Sequence, residues 1–300
     1  MKNNNSKKID GINLFEEARP SLLGLAYRIL GSMADAEDVV QDTFIKWDRT
    51  EQQTIETPKA WLTTVCTRCS LDQLRSVSRT RVDYIGTWLP EPIHTSNDSE
   101  LITSIELGQS LTTAFLLMLE RLTPKERAAY LLYEIFDNSY ADVAHILQIK
   151  EMACRKLVSR AKSNIDQTKI RNTTSVQKQK EFLNAFQLAV TNGEIAELTT
   201  LLARDIKLNA DGGGKVPSII RPIEGRESVI EFIVKSLNIY WANCQWEKVD
   251  INNSLGFSLK EENNITAILS FSYDKQDQVD GIFIVRNPEK INNFDEISIH

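Results

Sequence analysis

The sequence predicts a multidomain protein, with two all-α helical domains followed by an α+β domain. Three observations carry this. Residues 123–162 repeat helix-start signals at helix-turn-helix spacing. Residues 13–75 hold helix-period apolar patterns separated by caps and a polar loop. Past Gln179 two helical segments give way to short alternating or apolar runs bounded by turn residues, the order of an α+β domain. A chain of 300 residues is long enough for two or three domains, each with its own core.

Residues 13–30 carry Leu14, Leu22, Leu23, Ala26, Ile29 and Leu30 at helical spacing, with Gly31 as the stop and Pro20 as a bend or break. Residues 32–47, SMADAEDVVQDTFIKW, form the next helix, with Val40, Phe44 and Trp47 on its core face. The macrodipole favours acids in a first turn, which accounts for Asp35, Glu37 and Asp38 but not for Asp42. After the polar loop 48–56, Thr57-Pro58 caps a helix to about Arg75. Leu62, Val65, Cys66 and Cys69 form one side of it, and Thr64, Arg68, Leu71 and Arg75 a basic, hydroxyl-bearing other side suited to phosphate or base contact. Trp61 at its start either stacks an unpaired base, worth ~1–3 kcal/mol, or belongs to the core.

Residues 76–104 read as a linker rich in Ser, Thr, Asn and Pro, in which the two prolines of Trp88-Leu89-Pro90-Glu91-Pro92 enforce extended backbone. A Trp-Leu pair in such a linker is expected to dock on something. Helix returns over 104–122. Thr123-Pro124-Lys125-Glu126 then opens a helix with a capping box, Asp137-Asn138 interrupts it, Ser139 starts a short helix to Leu147, and residues 148–150 make a tight turn. On the helix that follows, Arg155, Lys156, Ser159 and Lys162 share one face, and Cys154, Leu157, Val158 and Ala161 the opposite one. A major-groove helix-turn-helix fits this pattern. A small bundle with a solvated basic face fits it as well.

Residues 163–179 read as a second linker. The last part holds helices around Asn192-Gly193, strands at 206–209, 218–221, 246–251, 265–273 and 281–286, and turns at Gly256, 274–278 and 280–281. Trp241 and Trp246 line a pocket or fill a core. In Asp211-Gly212-Gly213-Gly214-Lys215 a phosphate loop is excluded, because Lys215 is followed by Val216 rather than Ser or Thr. The glycines signal positive φ or close backbone approach.

Composition sets limits. The chain is 42% hydrophobic and 25% charged, with a net charge of −6, unlike a protein that coats nucleic acid nonspecifically. Basic charge is local, over 68–81 and 150–169, which suits a DNA reader with a large basic protein partner. The four cysteines do not form a disulfide framework, and Cys66-x-x-Cys69 reads as small buried hydrophobes on a helix. Residues 1–10 are polar, and no segment is apolar enough to span a membrane, so the expected location is cytoplasmic.

AYRILGSMADAEDVVQDTFIKW, TPKAWLTTVCTRCSLDQLR and LERLTPKERAAYLLYEIFDNSYADVAHIL with ACRKLVSRAK resemble regions 2 and 4 of bacterial sigma factors of the extracytoplasmic-function type. FLNAFQLAVTNGEIAELTTLLARDIKLNADGGGK is similar to the start of a SnoaL-like domain, a cone-shaped α+β barrel. One class of these sigma factors fuses the two, with motifs WLPEP, DGGGK and NPDKL. The last stands here as Asn287-Pro288-Glu289-Lys290-Ile291, departing by Glu for Asp and Ile for Leu. The resemblance implies sigma region 2 over 11–80, a linker with the WLPEP motif over 81–103, sigma region 4 with the helix-turn-helix over 104–168, and a SnoaL-like regulatory domain over 180–300.

It also implies partners and sites. Core RNA polymerase is held through the clamp helices of its largest subunit by Asp35, Glu37, Asp38, Gln41 and Asp42. Promoter DNA is read at the −10 element by Trp61, Thr64, Arg68, Leu71 and Arg75, and at the −35 element by Arg155, Lys156, Ser159 and Arg160. The family often has Asn where Arg68 aligns, which favours a phosphate role there; Arg160, on the helix flank, is also expected at a phosphate. The barrel is expected to act as a built-in regulator, with Asp211–Lys215 against the WLPEP linker and Glu91 paired with Lys215. Residues 287–291 are expected to aid activation. No membrane partner, cofactor or enzymatic role is implied. SnoaL-like enzymes use an acid–base pair in the cone, and the only histidine of this domain is His300. A small-molecule ligand in the cone is the remaining candidate partner. The alternative is a helix-turn-helix regulator whose barrel senses a small molecule or retains enzyme activity.

Overall fold

The structure, a computed structural model, describes residues 2–80, 84–95, 111–165, 174–292 and 294. The expectations for 81–83, 96–110, 166–173 and His300 lie outside the described residues. The chain falls into two compact units, one of Met1–Val82 with Met118–Ile165, the other of Asp83–Leu117 with Asp166–His300.

The first unit is helical. Helix α1 is Lys2–Leu30, α2 is Met33–Arg49, α3 is Pro58–Thr80, and a 3₁₀ turn lies at Gln52–Thr54. Ser32 caps α2, its hydroxyl accepting from the Asp35 N–H at 3.3 Å. α1 continues unbroken past Pro20. A mid-helix proline costs about 3 kcal/mol, and the buried residues beyond it, Leu22, Leu23, Ala26, Ile29 and Leu30, offset that. Val40, Trp47, Leu62 and Cys66 complete this core, and Phe44 is half-buried against Phe15 at 4.9 Å. Burial pushes the Cys66 thiol up to about 12, as suits an inert core residue.

Helix α4 is Thr113–Leu119 and α5 is Pro124–Tyr130, opened by the expected capping box of Thr123 and Glu126 and continued by a π turn, Leu131–Ile135. Asp137 takes positive φ at the expected break. Helix α6 is Tyr140–Leu147 and α7 is Glu151–Asn164. Gln148 between them is left-handed, with φ 52°. Cys154, Val158 and Ala161 are buried, as the face pattern of α7 requires.

In the second unit α8 is Val176–Asn192, closed by Gly193 at φ 77°, and α9 is Ala196–Leu201. The sheet strands are β1 (Leu202–Asp211), β2 (Ile223–Glu224), β3 (Gln245–Ile251), β4 (Ser254–Glu261), β5 (Asn264–Tyr273) and β6 (Val279–Val285). Between β2 and β3 stand α10 (Arg226–Phe232), a π turn (Ile233–Leu237) and α11 (Asn238–Trp241). The last helix, α12, is Pro288–Ile291. Strand order is β2-β1-β6-β5-β4-β3, with β1 and β6 parallel and the other pairs antiparallel.

This is the expected α+β layout, with β2 and β3 at opposite ends of the strand order among the described residues. The differences are local. Residues 218–221 are not a strand, Gly256 lies inside β4 rather than in a turn, and α8 begins before residue 179. One face of the sheet carries α8 and the segment 226–241 over a core of Phe182, Phe186, Phe257, Phe271, Trp241 and their neighbours. Its aromatic rings meet mostly edge to face, Trp246 on Phe257 at 4.9 Å and Trp241 on Trp246 at 6.4 Å, so both tryptophans are packing residues. On the other face Ile251, Ile268, Phe283 and Val285 are covered by Leu89 of the linker, Ile291 and Phe294, with Ala114 and Leu117 of α4 against them.

Candidate functional site

The linker is docked, as the exposed cost of Trp-Leu predicts. Leu89, Pro90, Glu91, Pro92 and Ile93 are buried and Trp88 is half-buried. His94 forms an antiparallel bridge with Ile251. The Thr95 N–H donates to Asp250 O at 3.0 Å and the Asn252 N–H to Ile93 O at 3.0 Å. The segment thus adds main-chain pairing beside the end of β3 while Leu89 fills the core of that face.

Asp211, at the end of β1, is fully buried and holds the linker. Its Oδ1 accepts from the Tyr84 hydroxyl at 2.5 Å and the Gly213 N–H at 3.0 Å, and its Oδ2 from the Leu89 N–H at 2.9 Å. The Lys290 ammonium lies 2.7 Å from Oδ2 and also donates to Leu89 O at 2.5 Å. That ammonium stands 4.3 Å from the Trp88 ring centroid and 5.3 Å from that of Tyr84. Asn287 donates from Nδ2 to the Tyr84 oxygen at 3.0 Å, and its Oδ1 caps α12 by accepting from the Glu289 N–H at 3.1 Å. Burial and the Asp211 carboxylate push the Tyr84 phenol well above its ordinary value.

The three motifs therefore meet in one polar cluster. The glycines are used as expected, with Gly213 at φ 62°, Gly214 at φ 70°, and a Cβ on Gly213 only 2.5 Å from Asn287. Pro288 opens α12, and Ile291 is buried against the linker side of the sheet. The pairing of charges differs from expectation. Lys215 pairs with Glu289, and the cation at the linker is Lys290, because α12 rather than the glycine turn points its lysine at Asp211. Tyr84 is the contact that the sequence reading missed; its signal was an aromatic four residues ahead of Trp88.

On α2, Glu37, Asp38, Gln41 and Asp42 are exposed, while Asp35 is half-buried and accepts from Gln73 Nε2 at 3.1 Å. A groove of about 530 Å³ runs between α2 and α3, lined by Asp38, Gln41, Asp42, Lys46, Cys69 and Asp72 among others. The Lys46 ammonium donates to Cys69 Sγ at 2.9 Å.

On α7, Arg155, Lys156, Ser159 and Arg160 are all exposed. Arg155 is pre-oriented, with two bonds to Glu151 Oε1 at 2.7 and 3.1 Å and its guanidinium 4.4 Å from the Tyr140 ring centroid. Lys162 turns back to Glu134 at 2.6 Å. The face of α3 is less open than its pattern suggests. Leu71 is buried, Arg75 pairs with Asp72 at 2.9 Å, and the Thr64 hydroxyl donates to Ala60 O at 2.7 Å. Arg68 donates from Nε to Ile146 O at 3.0 Å and from Nη2 to His145 O at 3.2 Å. Trp61 is half-buried, its ring 5.5 Å from that of Trp47.

Comparison with known proteins adds to this geometry. Residues 14–80 match the family Sigma-70 region 2, and residues 112–165 match Sigma-70, region 4. The chain is 35% identical over 231 residues to the ECF RNA polymerase sigma factor SigJ of Mycobacterium tuberculosis, covering 76% of this chain and 74% of that protein. It is 32% identical over 147 residues to the ECF RNA polymerase sigma factor SigE of Mycolicibacterium smegmatis, covering 47% of this chain and 54% of that one. The crystal structure of M. tuberculosis extracytoplasmic function sigma factor SigJ superposes with a TM-score of 0.74 at 29% identity, covering 94% of this chain and 98% of the other.

Proposed function

The chain belongs to the extracytoplasmic-function sigma factors of the sigma-70 family, and from this we propose how its residues divide the work of a sigma factor that acts in the cytoplasm. Members bind core RNA polymerase, recognise promoter DNA and initiate transcription; they are not enzymes. The acidic face of α2, with Asp35, Glu37, Asp38, Gln41 and Asp42, is assigned to the clamp helices of the largest polymerase subunit. Arg155, Lys156 and Ser159 are assigned to the −35 element and Arg160 to a flanking phosphate. A bidentate base contact there is worth ~1–3 kcal/mol of discrimination. Trp61, Thr64, Arg68 and Arg75 are assigned to the −10 region, and the buried Leu71 to the packing beneath that face.

The C-terminal domain regulates in cis through the linker. The observation that carries this is the fully buried Asp211, which binds Tyr84 and the Leu89 backbone while Lys290 binds Asp211 and Leu89 together. A linker pinned at residues 84–95 has less reach than a free one, so the sheet domain biases the separation of the two promoter-reading regions. A bias of 1.4 kcal/mol is already about tenfold in population.

Co-purification with core polymerase tests the assignment of parts. Arg155→Ala is expected to weaken −35 recognition by about tenfold with core binding intact, and Asp38→Ala to weaken core binding with the fold intact. If full-length protein neither binds core nor directs open-complex formation, the reading fails in favour of a simple helix-turn-helix regulator.

A further inference from the structure

Helix α7 presents a large apolar side chain where a helix-turn-helix meets base edges. Met152, at its second position, is 71% exposed. Arg155, Lys156 and Ser159 follow it at i+3, i+4 and i+7 on the same outward face. The N-terminal residues of such a helix are the ones that contact bases. A single exposed apolar residue is ordinary on a surface; what sets Met152 apart is the side chain one turn beyond it.

The Arg155 guanidinium is held on two sides. Its Nε and Nη2 both donate to Glu151 Oε1, at 3.1 and 2.7 Å, and its central carbon lies 4.4 Å from the Tyr140 ring centroid. Tyr140 in turn stacks on Tyr133 at 4.0 Å with 18° between the ring planes, and the Lys162 ammonium stands 5.5 Å from the Tyr133 centroid. A ladder of rings and cations, drawn from α6, α7 and the π turn, thus fixes where the arginine points. One edge and one face of the guanidinium are taken, and its Nη1–Nη2 end is left as a two-donor fork. Such a fork fits O6 and N7 of guanine, and holding it in place beforehand lowers the ordering cost of binding.

We propose that Met152 is a specificity-determining residue of promoter reading: it packs on the C5 methyl of a thymine beside a guanine taken by Arg155, with Glu151 and Tyr140 as positioning residues for that arginine. The proposal rests on the sigma-factor reading above. Three residues advance the helix by about 4.5 Å, near the ~3.4 Å between base pairs, so the two side chains meet neighbouring pairs. The thymine methyl is the apolar group of the major groove, and an unbranched thioether adapts its shape to it.

Selection of duplexes randomised across the −35 element, by holoenzyme formed from core polymerase and the full chain, tests this. The bound pool is expected to hold a guanine next to a thymine. Replacing that thymine by deoxyuridine, which removes only the methyl, is expected to weaken binding about fourfold in the parent and not at all in Met152→Ala, with core binding equal in both. Replacing the guanine by 7-deazaguanine, which lacks the N7 acceptor, is expected to cost the parent about tenfold. Tyr140→Leu is expected to shrink that ratio and Tyr140→Phe, which keeps the ring, to restore it. A deoxyuridine penalty equal in parent and Met152→Ala, or a selected element without the guanine–thymine step, overturns the inference while leaving the sigma-factor reading in place. If the holoenzyme selects no −35 sequence at all, the sigma-factor reading of α7 falls, and the inference with it.

Discussion

Asp211 is the residue on which the second unit turns. A carboxylate with no solvent exposure is tolerated only where donors and a counter-charge surround it, and here three hydrogen-bond donors and the Lys290 ammonium do so. Asp211→Asn keeps the shape but strands the lysine and turns one acceptor into a donor. It is expected to destabilise the C-terminal unit by ~3–5 kcal/mol, read as a lower urea midpoint. Lys290→Met is expected to cost less, because Asp211 retains its three donors. The sequence made Asp211, the linker and residues 287–291 visible as motifs. It did not reveal which lysine answers the carboxylate, because a pair 79 residues apart depends on how the strands cross.

Among the elements, legibility followed local chemistry. The caps at Ser32, Thr123 and Ser139, the break at Asp137 and the left-handed Gln148 gave the helices of the first unit their limits. The sheet was harder. The pattern hides β4 because Gly256 carries the mark of a turn, while the hairpins lie at Asn252-Asn253 and Glu262-Asn263, all four with positive φ, the signature of two-residue turns. Gly256 is there for space: a Cβ would stand 2.2 Å from Leu269 O. Gly256→Ala is therefore expected to destabilise by ~1–3 kcal/mol, measured by thermal unfolding. The helical segment 226–241 was also missed, although Val229, Ile233, Leu237 and Trp241 repeat every four residues and are all buried. Alternating burial on the strands conveys two faces, but not whether the sheet closes, since closure depends on how its edge strands end.

At the scale of the whole molecule, the candidate surfaces divide between those the sequence can place and those it cannot. Arg155, Lys156, Ser159 and Arg160 stand exposed on one helix, as their period requires. The face of α3 has the same kind of pattern, yet Leu71 is buried and Arg68 is engaged by another helix, because tertiary packing decides whether a basic face meets solvent. The same packing joins linker, sheet and α12 through the Asp211 cluster, and through that join the sheet domain is proposed to govern promoter reading. Promoter-directed transcription with purified core polymerase tests it most directly, comparing the full chain with Lys290→Met and with chains truncated before Asn287 and before Phe182. Lower output is expected for Lys290→Met and for the truncation before Asn287, with a further change when the whole domain is removed. Equal output from all four proteins would contradict it.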